Sequence, residues 1–219
     1  MTQTDGWRLA CFDLDGTLVR GTSVSQHLAD RVGSSEEMAE LERRYAAGEI
    51  SNSVVAEQQA RAYVGMPLSE IVEMLADIPC IEGIDATIAA LRERGIESLL
   101  CTVTWTFAAR EFGRRHGFVA VSGTEIELVD GVPTGAIDRH FDEWDKLAFV
   151  ESYCEANSIS LSECIAVGDS RSDLPLFQAV GFSVALNATA EARAAATVIL
   201  DTETLVDVLE VVPWAERET

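Results

Sequence analysis

Short apolar runs alternate along the chain with stretches whose apolar residues recur every three or four positions. Leu9-Ala10-Cys11-Phe12 is the first run, and it stops at Asp13 as a buried parallel strand stops at its carboxyl end. Gly16-Thr17 follows as a turn signal. From about Ser23 to Leu75 the pattern is helical: Met38, Leu41 and Tyr45 keep the three- and four-residue spacing, while Gly48, Gly65 and Pro67 punctuate the stretch. It predicts three or four short helices with no strand among them. Pro79 to Gly83 reads as a return linker. Ile84, Ile88 and Leu91 then mark one face of a helix that Gly95 closes.

Glu97 to Cys101 predicts a second core strand ending at Thr102, and Phe118 to Val121 a third. Between Ile126 and Ile137, Asp130-Gly131 is a hairpin-turn dipeptide. A helix over Asp145–Ala156 precedes a strand over Cys164–Val167 that runs into Gly168-Asp169. Helix Leu174–Val180, strand Phe182–Leu186, a short Ala-rich helix, strand Val198–Leu200 and a final helix complete the order. This alternation defines an α/β fold, a Rossmann-like doubly wound parallel sheet, with the all-helical segment inserted as a small cap. The expected division is a core of residues 1–19 and 81–219 and a helical cap of residues 20–80. Ligands bind such sheets beyond the carboxyl ends of the strands, where Asp13, Thr102 and Asp169 all stand.

Composition narrows the classes of function. With 219 residues, 47% of them apolar, and a mean hydropathy of +0.11, the chain can bury a sizeable core. No apolar run approaches the ~20 residues of a membrane span. The N-terminus lacks the basic and apolar regions of a secretory signal, so a cytoplasmic location is expected. The net charge of −21 argues against nucleic acid and anionic membranes as partners, since the best basic group, Arg110, Arg114 and Arg115, is interrupted by Glu111. A small molecule is the expected partner, and composition does not set the oligomeric state or say whether the acidity reflects a high-salt cell. Cys11, Cys101 and Cys164 lie in apolar runs and read as free buried thiols. His27, His116 and His140 are scattered without the spacing of zinc ligands.

The polar residues at the strand ends carry the chemistry. Asp13 and Asp15 are one residue apart, so both carboxylates can face one cavity; one can attack phosphorus while the other protonates a leaving oxygen and then activates water. Asp169 and Asp173 form a second acidic pair. Carboxylates gathered this way call for a hard cation, and Mg²⁺ takes one or two of them together with phosphate oxygens. Asp173 also fits a helix N-cap, and the two roles are compatible. Lys146 is the sole lysine beside fifteen arginines, which points to a need for a compact ammonium against phosphate and the attacking carboxylate. Thr102 offers a hydroxyl, and Val103 the following backbone N–H, to a phosphoryl oxygen.

Together these motifs resemble the haloacid dehalogenase superfamily, in the branch that contains phosphoserine phosphatase. The resemblance covers almost the whole chain: DLDGT at 13–17, Thr102 after an apolar run, Lys146, and GDSRSD at 168–173, with DGVPTG and VALNATAEARAAA also similar. It implies a Rossmann-like core with a helical cap and a phosphatase that forms an aspartyl-phosphate at Asp13. Asp15 would be its acid–base residue. It further implies Mg²⁺ held by Asp13, the Asp15 backbone and Asp169 with support from Asp173, and phosphate gripped by Thr102, Val103, Lys146 and Ser172.

The substrate clamp departs from that branch. Thr22 stands where those phosphatases carry a glutamate, and Asn52 and Gln59 stand at their phenylalanine and arginine positions; Val103-Thr104 replaces a Gly-Gly pair. Thr and Gln do not replace charge-assisted contacts to an amino acid. Thr22, Gln26, His27, Asn52 and Gln59 are therefore the candidate specificity residues, suited to a polyol, sugar or other hydroxyl-rich phosphate. Trp105 either stacks on substrate or fills the core under the cap, and the core is favoured. Hydrolysis of a small phosphomonoester is the leading expectation. The alternatives are transfer of the phosphoryl group to an alcohol and non-catalytic phosphate binding.

Overall fold

The computed structural model describes residues 6–214. Strand β1 (Leu9–Phe12) has every side chain buried, because a central parallel strand is covered on both faces. Four helices follow with no strand among them: α1 (Val24–Val32), α2 (Ser35–Ala46), α3 (Asn52–Ala62) and α4 (Leu68–Glu73). The chain then runs through α5 (Ile84–Glu93), β2 (Glu97–Trp105), α6 (Thr106–His116) and the hairpin of β3 (Ala120–Val129) and β4 (Val132–Arg139). It closes with α7 (Glu143–Asn157), β5 (Cys164–Gly168), α8 (Leu174–Ala179), β6 (Phe182–Leu186), α9 (Ala190–Ala195), β7 (Val198–Leu200) and α10 (Val208–Val211).

The seven strands lie in the order β4-β3-β2-β1-β5-β6-β7, parallel throughout except for the β3–β4 hairpin. β1 pairs with β2 on one side and β5 on the other, so the winding reverses at β1 and opens a crevice at its carboxyl end. The α/β doubly wound architecture is as expected. At the hairpin, Asp130 and Gly131 both take positive φ, 52° and 78°, as a two-residue turn between paired Val129 and Val132 requires.

Two local differences from the sequence reading share a cause, and a third has its own. β2 runs on to Trp105 and β3 to Val129, and α6 fills a stretch left unassigned. Thr102, Thr104, Ser122 and Thr124 interrupt the apolar pattern, yet all four are buried. The ladder between β2 and β3 is regular from Leu99 to Cys101 and resumes at Trp105 opposite Thr124, so β2 spends extra residues at Thr102–Thr104. Such a bulge re-aims side chains, and here it lies at the crevice. The buried face of α6 includes Ala108, Ala109 and Gly113, small residues that dilute its helical stripe.

The inserted helices share one apolar cluster with the sheet: Leu28, Ala60, Tyr63 and Leu75 pack in it with Phe12, Leu100 and Phe112. Trp105 and Phe107 stack at 5.7 Å, and Tyr63 meets both edge-on at 6.0 and 6.4 Å, which locks the end of α3 to the start of α6. All five cysteines are free, and Cys80 alone among them is not buried. Among the described residues, no helix is long and apolar enough to cross a membrane.

Gly123 is the partner that lets the bulge close. A Cβ there would lie 2.5 Å from the Thr104 carbonyl oxygen and 2.9 Å from the Thr106 nitrogen. Gly123→Ala is expected to cost about 1–3 kcal/mol of stability, read from the urea midpoint. An unchanged midpoint would show that the bulge has slack.

Candidate active site

β1 and β5 lie side by side, so the loops that leave them deliver Asp13, Asp15, Asp169 and Asp173 to one place. The Asp13 N–H donates to the Val167 carbonyl at 2.9 Å, which carries the sheet ladder right up to the site. Gly16 takes φ +84°, and a Cβ on it would collide with the Asp169 carboxylate, so only glycine lets the two loops meet. The Thr17 hydroxyl donates to Asp169 Oδ1 at 3.4 Å across the same junction.

Lys146 arrives from the first turn of α7. Asp142 caps that helix, accepting from the Trp144 and Asp145 N–H groups, while Asp145 returns a bond to the Asp142 N–H. Lys146, Val150 and Cys154 form its buried stripe at four-residue spacing. The Lys146 ammonium is wholly buried and donates to Asp13 Oδ1 at 2.7 Å, Asp173 Oδ1 at 2.6 Å and Ser172 Oγ at 3.3 Å. Burial opposes its charge, but Asp13 and Asp173 outweigh that and hold it protonated well above the usual lysine range. Asp173 stands at the cap position of α8, yet its second oxygen folds back to accept from the Asp169 and Ser170 N–H groups at 3.0 and 3.1 Å. It braces the turn and does not cap the helix.

The remaining carboxyl groups are short of positive charge. Burial pushes Asp13 up to about 6 against the opposing pull of Lys146. Burial raises Asp15 to about 8, although it accepts from the Val24 N–H at 2.7 Å. Asp169 rises to about 9 through burial and repulsion from Asp13 and Asp173. Carboxylate oxygens of Asp13, Asp169 and Asp173 lie within 4.8 Å of one another, a cluster able to hold a metal ion.

A cavity of about 460 Å³ opens over these groups, between the strand ends and the inserted helices. Asp13, Asp15, Thr102, Val103, Ser172 and Asn52 line it; Thr22, Gln26, Gln59 and Trp105 do not. Their amide and indole groups are used elsewhere. Gln59 is buried, accepts from Ser25 Oγ at 2.9 Å and Trp105 Nε1 at 2.6 Å, and donates to the Ser25 carbonyl at 3.0 Å. Gln26 donates to Asp30 and Ser35, and Thr22 only to the neighbouring Ser23 carbonyl. His27 is buried with Nε2 2.9 Å from the Met74 carbonyl oxygen. Asn52 lines the wall but also braces it, donating to the Val103 and Phe141 carbonyls at 2.9 and 2.8 Å.

Glu42, Tyr45, Thr104 and Arg171 line the cavity without having been singled out from the sequence. Tyr45 looked like one more apolar position of α2, and Arg171 lay inside the GDSRSD string as a spacer. No local signal marks Glu42, which reaches the site only because α2 folds back over it.

A sheet wound this way, with acids at its switch point and a helical insertion over them, defines a Rossmann-like hydrolase. The chain matches the sequence profile of the haloacid dehalogenase-like hydrolase family over residues 10–178 and belongs to that family. Among its relatives, phosphoserine phosphatase of Archaeoglobus fulgidus is 28% identical over 182 residues, covering 83% of this chain and 53% of that protein. Phosphoserine phosphatase of Streptococcus thermophilus is 26% identical over 204 residues, covering 93% and 94%. The chain thus spans about half the length of the A. fulgidus relative, and 44% of phosphoserine phosphatase SerB2 from Mycobacterium tuberculosis. Its fold superimposes on a phospho-aspartyl intermediate analogue of phosphoserine phosphatase with a TM-score of 0.84 at 21% identity, covering 95% of this chain and all of that one.

The charge balance has a sign that can be checked in metal-free protein. Asp169 is held above its ordinary value, so its contribution to stability is full below about pH 4 and is lost as pH rises toward about 9. Asp169→Asn is expected to be near neutral at pH 4 and stabilising by roughly 1 kcal/mol or more at pH 8. Lys146→Met should do the reverse, costing about 3–5 kcal/mol at pH 8 by leaving buried carboxylates unpaired. Urea unfolding at the two pH values decides both; a destabilised Asp169→Asn at pH 8 would contradict the charge balance.

Proposed function

We propose that this chain is a magnesium-dependent phosphatase that hydrolyses a small phosphomonoester through an aspartyl-phosphate on Asp13. The observation that carries the proposal is the placement of Asp13 and Asp15 at the sheet's switch point, with the one lysine of the chain bonded to Asp13. Residues 1–19 and 81–219 are read as the catalytic core and 20–80 as the cap that walls the cavity.

In this reading an Asp13 carboxylate oxygen attacks phosphorus, and the bond from phosphorus to the ester oxygen breaks. Asp15, held high enough to carry a proton near neutral pH, gives that proton to the departing alkoxide. A water then attacks the phosphorus of the aspartyl-phosphate, Asp15 takes its proton, and Asp13 is regenerated as phosphate leaves. The Thr102 hydroxyl, the Val103 N–H, Lys146 and Ser172 hold the phosphoryl oxygens through both steps. The Val24 N–H at the start of α1 fixes the Asp15 carboxylate, so the acid–base group is oriented by the cap itself.

The residues fit a hard cation. Their donors are all oxygens, and one ammonium faces Asp13, Asp15, Asp169 and Asp173, a donor set that suits magnesium. Asp13, the Asp15 backbone and Asp169 would hold it, with Asp173 spent on Lys146 and the turn. Bound there, it supplies the positive charge that lets a phosphate dianion approach these carboxylates.

The named substrate of the relatives is phosphoserine. Gln59, at the position aligned with the arginine of those enzymes, has its amide engaged inside the protein, which supports a different physiological ester. Phosphate release from phosphoserine, an aryl phosphate and a panel of sugar and small-acid phosphates tests the reading. Turnover should require Mg²⁺, fall by at least about 10³-fold in Asp13→Asn, and leave phosphoserine among the poorer substrates. Mg²⁺-independent turnover, or turnover that survives in Asp13→Asn, would overturn it.

A further inference from the structure

Once the internally bonded side chains are set aside, the cavity wall beyond the phosphate site presents hydrogen-bond donors. Glu42 is already engaged: it accepts from the Ser23 hydroxyl, which caps the start of α1 and itself accepts from the Gln26 N–H at 2.9 Å. The hydroxyls of Tyr45 and Thr104 are both buried without a hydrogen-bond partner, and the Thr104 residue is only 8% exposed. Unpaired buried hydroxyls are costly, and a ligand that supplies acceptors removes the penalty. Tyr45 lines the same cavity as Asp13 and Asp15.

Arg171 completes the set. Its guanidinium lies 4.6 Å over the Tyr45 ring, which orients the plane. Of the five N–H donors an arginine carries, one reaches the Tyr45 carbonyl at 3.3 Å and one Glu143 at 3.4 Å, both long. No other bond engages the rest among the described residues. Arg171 also lines a second depression of about 560 Å³ that adjoins the first, so it stands at the mouth, away from the phosphorus site. Glu191 lines both spaces as well, but from the exposed rim.

We infer that Arg171, Tyr45 and Thr104 form the subsite for the alcohol portion of the substrate and select a phosphomonoester that carries a second oxyanion, a carboxylate or another phosphate, without the ammonium of phosphoserine, for which Thr22 offers no charged partner. The inference rests on the phosphatase reading of the site and names its substrate class. Three donors from α2, the β2 bulge and the turn after β5 converge on one cavity, and a fork-shaped guanidinium matches an oxyanion with two parallel bonds. A neutral polyol would meet the hydroxyls but leave the guanidinium with only its long bonds to Glu143 and the Tyr45 carbonyl.

Matched pairs of esters test this: 3-phosphoglycerate against glycerol 1-phosphate, and propane-1,3-diol bisphosphate against its monophosphate. The oxyanion-bearing member is expected to be favoured at least about 10-fold in kcat/KM. Arg171→Ala should bring that ratio close to one, and Tyr45→Phe, which keeps the ring beneath Arg171, should lower it by about 3-fold or more. The first pair reports a carboxylate and the second a phosphate. The same ratios are read as Kd values by calorimetry on Asp13→Asn protein, which binds without turnover. Absence of phosphate release by the wild type sinks the phosphatase reading, whereas Kd ratios near one, or ratios unmoved by both Arg171→Ala and Tyr45→Phe, overturn the subsite. Tyr45→Phe decides the matter if Arg171→Ala folds poorly.

Discussion

The site depends on one buried ammonium. Lys146 lies between Asp13 and Asp173 with no solvent on it, bonded to both at 2.7 and 2.6 Å. Taking three charges out of water is costly, and the cost is offset only if bonds of this quality are held in place. The sheet and α7 hold them. β1 and β5 are neighbours in register, the capping box fixes where α7 begins, and the far oxygen of Asp173 is pinned by two backbone N–H groups. Because the single lysine cannot neutralise Asp13, Asp15, Asp169 and Asp173 together, the cluster keeps an appetite for a cation and for protons. Both are what phosphoryl transfer through a carboxylate needs.

The second constraint is the way the inserted helices are fastened. Their apolar faces continue the core of the sheet, and Tyr63 wedges against Trp105 and Phe107. Gln59 then ties α1, α3 and the end of β2 through three bonds. Asn52 does the same for the β2 bulge and the loop after β4. These polar struts use up side chains that would otherwise face a ligand, which leaves recognition to residues on the other walls. The Asp15 carboxylate is held by the first N–H of α1, so the positions of the insertion and of the proposed acid–base group are coupled.

Much of this was legible in the sequence. β1, β6 and β7 fall on the apolar runs that announced them, and the four-helix segment and the Asp130-Gly131 turn are where the punctuation put them. DLDGT and GDSRSD marked the strand ends because acids after a buried run have few other reasons to be there. What escaped had buried polar residues in it. Thr102–Thr104 and Ser122–Thr124 read as strand breaks, although they are the bulge that shapes the cavity floor. The cavity wall escaped for a different reason. Whether Gln59 or Tyr45 faces a ligand depends on which internal partner each finds, and one-dimensional spacing carries no record of that.

The central claim is that Asp13 bonds covalently to phosphorus. A single turnover in ¹⁸O-labelled water, with enzyme in excess over ester and the Asp13 peptide then weighed by mass spectrometry, tests it most directly. If water attacks the phosphorus of an aspartyl-phosphate, the first turnover places the label in phosphate and leaves Asp13 at its ordinary mass, while a borohydride quench during turnover converts Asp13 to homoserine. A label in phosphate with no homoserine at Asp13 under any quench would mean that water attacks the ester directly, and the account of this site would have to be abandoned.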